Sequence, residues 1–116
     1  MSPPAAIGYL RRDVSGARQQ WEENQMRSLA KRLGYRLLKT IVFSERTDKP
    51  LQRLIDVVQN TSAEAVFVPS LDHLGGQVPD VLVRVADVIT VTPERTYARW
   101  IIPPDAPADM GSRWAR

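Results

Sequence analysis

The amino-acid sequence predicts an α/β domain of three layers: a mainly parallel sheet of four or five strands between flanking helices. Short apolar runs alternate with longer stretches of helical spacing, in the order β-α-β-α-β-α-β-(β). The runs are apolar on both faces, so helices must cover both sides of the sheet. Crossovers between such strands are right-handed.

The first strand is expected at 6–10, an apolar run between Pro4 and the polar Arg11, Arg12 and Asp13. Asp13, Ser15 and Gly16 form a loop with helix-start chemistry. Residues 17–33 contain neither proline nor glycine, and Trp21, Gln25, Leu29 and Leu33 recur every fourth position, with Met26 and Ala30 beside them. That spacing predicts one buried helical stripe, with Arg18, Glu22, Arg27, Lys31 and Arg32 largely off it. Gly34 suits the helix end. Residues 35–43, rich in β-branched and aromatic side chains, predict a second strand. A polar loop at 44–49 leads to Pro50 in the first turn of a helix carried by Leu51, Leu54, Ile55 and Val58, which stops at Asn60, Thr61 and Ser62. Residues 65–68 form a compact strand, closed by Pro69 and Ser70. A glycine-bearing loop, a short helix at 78–86, a strand at 88–91 and a fifth strand at 96–101 follow. Ile7, Tyr9, Val66, Phe67, Ile89 and Val91 are expected inside. The domain is expected to occupy 1–102, with 103–116, which hold three of the nine prolines, as a tail.

Composition excludes several function classes. The 116 residues amount to one domain. No stretch approaches the ~20 apolar residues of a spanning helix, and the N-terminus lacks the pattern of a secretory signal. The expectation is a cytoplasmic chain with no membrane contact. With no cysteine, disulfides, thiolate nucleophiles and cysteine-ligated zinc are excluded. The single histidine, His73, excludes a histidine-rich metal site. No metal and no cofactor is expected. Thirteen arginines and three lysines against thirteen acidic residues leave a net charge of +3, a mild attraction for nucleic acid with no run of four basic residues to concentrate it.

In parallel sheets ligands sit beyond the carboxyl ends of the strands. That rim should gather residues 11–16, 44–49 and 70–76. They offer Arg11, Arg12, Asp13 and Ser15, then Ser44, Glu45, Arg46, Asp48 and Lys49, then Ser70, Asp72 and His73. Ser15 could meet His73 and Asp72, but adjacent residues rarely align carboxylate, imidazole and hydroxyl as a hydrolase needs. His73 reads more simply as a solvent-facing loop residue. Phosphate-binding glycine loops are absent, and Gly75-Gly76 is only a flexible pair.

These residues resemble the N-terminal catalytic domain of the serine recombinases, the resolvase and invertase family. The resemblance runs from about residue 7 to 91. It rests on Gly8-Tyr9-Leu10-Arg11, on Gln25, Leu29 and Gly34, on Lys49-Pro50-Leu51-Gln52-Arg53-Leu54-Ile55, and on Phe67-Val68-Pro69-Ser70-Leu71-Asp72-His73-Leu74-Gly75-Gly76. It implies a resolvase-like fold. In that family a serine attacks a DNA phosphate and arginines stabilise the charge that builds on it. Alignment from Tyr9 and Arg11 puts Asp13 where the serine belongs, and Ser15 recovers the hydroxyl only with two inserted residues. His73 and Gly76 stand where two arginines belong, and Lys49 replaces a third. Only Arg11 and Asp72 stand as the family requires. The family's long dimerisation helix and helix-turn-helix reader are not matched.

The resemblance therefore implies a catalytically inactive resolvase-like module that works through a protein partner, with a second copy of the chain among the candidates. Contact with nucleic acid is expected to be weak and non-specific. The remnant pocket should comprise Tyr9, Arg11, Asp13, Ser15, Lys49, Asp72 and His73. The main rival is a divergent recombinase that exchanges DNA strands through Ser15, with Arg11, Arg12, Arg46, Lys49 and Asp72. A small-molecule or nucleotide-binding α/β domain is the third reading.

Overall fold

The computed structural model describes residues 2–100. Strand β1 (Ala5–Arg11) runs into a one-turn helix α1 (Arg12–Ser15), a 3-10 turn (Gly16–Arg18) and helix α2 (Gln19–Arg32). Strand β2 (Arg36–Phe43), helix α3 (Pro50–Thr61) and strand β3 (Ala65–Val68) follow. A 3-10 turn (Leu71–Leu74), helix α4 (Asp80–Val83), strand β4 (Asp87–Thr90) and strand β5 (Arg95–Tyr97) complete the described chain. The sheet order is β2-β1-β3-β4-β5. All pairings are parallel except β4 with β5, which is antiparallel. The expected mainly parallel sheet is thus present, with five strands.

Two cores sit on opposite faces. Ile7, Tyr9, Val66, Val68 and Val88 pack with Leu54, Ile55 and Val58 of α3 and Leu82 and Val83 of α4. Ala6, Leu10, Ala65, Phe67 and Ile89 pack with Met26, Leu29 and Ala30 of α2. The strand side chains alternate between the two sets, as a period of two dictates. Five of the six expected interior residues are buried, and Val91 packs half-buried against the α2 side.

Three local expectations change. Residues 12–15 form a helical turn rather than a loop, and Gly16 at φ +55° separates that turn from α2. Glycine adopts this left-handed backbone without the penalty other residues meet. The helix expected at 78–86 is only α4, because Pro79 is extended and β4 begins at Asp87. The buried stripe of α2 is Glu22, Met26, Leu29 and Ala30, while Trp21 is 55% exposed and Leu33 40%. Met26, Leu29 and Ala30 are thus buried as expected, while Glu22 takes an inward place and the ends of the expected stripe, Trp21 and Leu33, face outward. The expected end of the domain at 102 and the tail at 103–116 lie outside the described residues.

At the amino-terminal rim, Asp87 ties separate segments together. Its carboxylate accepts the Arg99 backbone N–H at 2.6 Å and the Tyr35 hydroxyl at 3.4 Å. The Trp100 N–H donates to the Val83 carbonyl at 3.0 Å, and the Arg84 guanidinium lies 5.5 Å from the Trp100 ring centre.

Gly8 lies opposite Thr40 in the β1–β2 register. A Cβ at Gly8 would fall 2.6 Å from Thr40 Oγ1 and 3.2 Å from its Cβ. Gly8→Ala should cost roughly 1–3 kcal/mol, the usual range for overpacking, read from denaturant midpoints. Thr40→Ala in the same chain should recover most of that loss.

Candidate functional site

The carboxyl ends of β1, β2 and β3 share one rim, and β1 and β3 are neighbours there. Their connections leave toward opposite faces, α2 to one and α3 to the other. Such a switch point opens a crevice beyond the strand ends. A cleft of about 180 Å³ lies at this point, lined by Tyr9, Arg11, Pro50, Leu51, His73, Leu74, Gly75 and Pro79.

The Arg11 backbone N–H donates to His73 Nδ1 at 2.9 Å. That bond needs an unprotonated Nδ1, so the ring proton resides on Nε2. His73 Nε2 faces Glu22 Oε1 at 3.8 Å, and the Ser15 hydroxyl donates to the same oxygen. Ser15, Glu22 and His73 are 4%, 7% and 2% exposed. The Arg18 guanidinium is 3.8 Å from the other Glu22 oxygen. One buried carboxylate thus joins the end of α1, helix α2 and the turn after β3. This satisfies polar groups that would otherwise cost about 1–3 kcal/mol each when left unpaired.

The solvent-facing reading of His73 is overturned. The imidazole is buried because it accepts the last N–H of a core strand. Ser15 meets Glu22 rather than Asp72, and Glu22 stands between hydroxyl and imidazole. A Ser-His relay needs the imidazole directly on the hydroxyl, so this arrangement is not one.

The remaining rim residues disperse. Arg11 is bound by Asp13 through two contacts, Nε to Oδ1 at 3.1 Å and an Nη2 to Oδ2 at 2.6 Å. Its fork is therefore occupied by a side chain of this chain. Tyr9 packs edge-on against Phe43, ring centres 5.6 Å apart, and burial raises its pKa above the ordinary tyrosine value. Arg12, Arg46, Lys49 and Asp72 are exposed and line no part of the cleft. Arg46 sits in a turn closed by the Thr47 N–H to the Ser44 carbonyl at 3.1 Å. Lys49 is in the left-handed region (φ +48°) just before α3. Asp72 borders a separate cleft of about 370 Å³, shared with Ser70, Thr92 and Arg95.

Gly75 and Gly76 have φ of +85° and +95°. At both positions this backbone strains any residue with a Cβ. Gly75-Gly76 is a defined left-handed bend rather than a merely flexible pair. Among the described residues no group of three histidine, cysteine, aspartate or glutamate side chains is placed to hold a metal ion. No helix there is long and apolar enough to cross a membrane.

Glu22 is the site residue that hydropathy did not reveal. Its signal is positional: Glu22, Met26, Leu29 and Ala30 follow helical spacing as well as the stripe through Trp21 does.

No family model matches the chain, and no curated protein matches it. Its architecture is nevertheless shared with a solved structure. The crystal structure of a resolvase family site-specific recombinase from Streptococcus pneumoniae aligns with a TM-score of 0.63. The match covers 97% of this chain and 83% of that chain, at 11% sequence identity. The fold is therefore resolvase-like: a mostly parallel five-stranded sheet with helices on both faces.

His73 sets a pH dependence. Burial, the largest influence, lowers its pKa below the usual 6.5; Glu22 and Asp72 oppose this. The unfolded chain then binds the proton more readily than the folded one. Stability should be full above the unfolded value and fall as pH drops below about 6.5. Urea unfolding across that range should show the decline in the native chain and a flatter profile in His73→Gln.

Proposed function

We propose that this chain is a catalytically inactive, resolvase-like binding module that acts by assembly with other macromolecules. The observation that carries this reading is the Arg11–Asp13 pair. Phosphoryl transfer from DNA to a hydroxyl builds negative charge on the non-bridging oxygens, which preorganised donors must meet. Here the arginine aligned with the family's is held by a carboxylate, and among the described residues no guanidinium contacts Ser15. Removing one such donor typically costs about 3 kcal/mol of transition-state stabilisation. A histidine with a depressed pKa and a glycine stand at two further donor positions. The hydroxyl is buried and already committed to Glu22, a partner whose charge would repel a phosphodiester. The reading takes a protein as the main partner, with sequence-independent contact to nucleic-acid backbone through arginines.

Incubation with supercoiled and nicked DNA, followed by denaturing gels and mass analysis, should give neither cleavage nor a serine-linked 5′ phosphate. An adduct that Ser15→Ala abolishes and Ser70→Ala spares would establish the rival recombinase reading. Binding to duplex DNA should be weak, without site preference and steeply reduced by salt. Affinity of ~10⁻⁸ M or tighter for one site at physiological salt, the level of specific complexes, would contradict the proposal.

A further inference from the structure

Helix α2 buries one of its two carboxylates and half-buries the other. Glu22 is buried against Ser15 and His73, and Glu23 is half-buried and accepts the Gln19 amide at 3.0 Å. What faces solvent is basic and uncharged polar: Gln20, Asn24, Arg27, Ser28, Lys31 and Arg32 are all exposed. Arg18, on the turn that leads into the helix, has a side chain 71% exposed. Trp21 stands beside this surface, the most exposed of the large apolar side chains among the described residues. Arg18 and Asn24 are three positions from it and Gln25 four, so they neighbour the indole on the helix. Arg32 shares its charge with Glu94 across 3.1 Å and Arg18 lies 3.8 Å from a Glu22 oxygen, whereas among the described residues Arg27 contacts the neutral Asn24, at 2.9 Å.

We propose that the outer face of α2 binds single-stranded nucleic acid, with Trp21 stacking on an unpaired base and Arg18, Arg27 and Lys31 meeting the phosphates. The surface lies on the helix covering one side of the sheet and does not include the rim cleft. A basic track with an exposed aromatic ring is the arrangement that holds single strands without reading their sequence. Every base has a π-face, but a duplex keeps its faces stacked internally, so unpaired strands are favoured. A carboxylate on the track would repel phosphate; here Glu22 is buried, Glu23 is half-buried, and Glu94 stands at the end of the track, held by Arg32. The fourteen residues of α2 span ~21 Å, enough for several phosphates of an extended strand. The amide and hydroxyl groups of Gln20, Asn24 and Ser28 add neutral donors. This deepens the nucleic-acid part of the binding-module reading and rests on that reading.

The test titrates a short oligothymidylate into the whole chain at low salt and follows tryptophan fluorescence and anisotropy. Binding should quench fluorescence and exceed that of a duplex of equal length. Trp21→Ala should weaken it about tenfold, and Trp21→Phe should retain most of it. Arg27→Gln should reduce the slope of log affinity against log salt by about 0.7, one phosphate contact on a single strand. Circular dichroism should be unchanged in each variant, since these side chains are exposed. An affinity that Trp21→Ala leaves unaltered overturns the proposal. So does equal binding of polyglutamate, which would assign the face to an acidic protein. Failure to bind any of these defeats the α2 inference alone, whereas a covalent DNA adduct defeats the inactive-module reading whatever α2 does.

Discussion

The structure depends on β1 being buried on both of its faces. Ile7 and Tyr9 point into the core under α3 and α4, while Ala6 and Leu10 point into the core under α2. A strand enclosed in this way must satisfy its backbone completely, because an unpaired N–H in such surroundings costs as much as a lost hydrogen bond. Along most of its length β2 and β3 do so. Where the ladder ends, at Arg11, the N–H is taken by His73. That contact calls for a buried imidazole, the imidazole is placed beside the Glu22 carboxylate, and the carboxylate takes up Ser15. The polar chemistry of the rim thus follows from the way a core strand terminates.

The same chain of dependence explains how the rim of this resolvase-like fold is filled. A phosphate site needs donors left free and a hydroxyl that can reach the ligand. In this protein Arg11 has an internal partner in Asp13, and the Ser15 hydroxyl points inward to Glu22. Each contact is locally favourable, and both groups are engaged within the chain. In this resolvase-like fold the buried polar groups of the rim hold loops together.

Much of this architecture was legible in the sequence. The apolar run 65–68 is β3 to the residue, and Pro50 opens α3 as its fixed φ suggests. The three rim loops could be grouped because parallel strands bring their carboxyl ends together. The setting of α2 could not be read in the same way. Hydropathy favours burying Trp21 and Leu33 over Glu22, although Met26, Leu29 and Ala30 belong to the buried stripe on either choice. The choice was made by Ser15 and His73, which supply Glu22 with partners and so remove most of the penalty of burying it. The burial of His73 was not legible for a related reason: its partner is a backbone N–H sixty-two residues away, and no residue type signals it. Polar burial is decided by contacts distant in sequence, whereas apolar periodicity is local.

Asp87 has a mechanical meaning. The segment after β5 is held to the sheet through one carboxylate, a Val83 carbonyl and the Arg84–Trp100 stack, all near the amino-terminal rim. The cleft opens at the other end of the strands. Tension applied to the chain beyond Trp100 would enter the sheet at the start of β4, through the short bond to the Arg99 amide. β4, β3 and β1 run parallel and adjacent, so the load would be borne as shear spread over their ladder bonds, which resist together rather than one by one. The rim with Arg11 and His73 lies at the far end of that path. The domain could bear a pull from a tethered neighbour without opening its cleft.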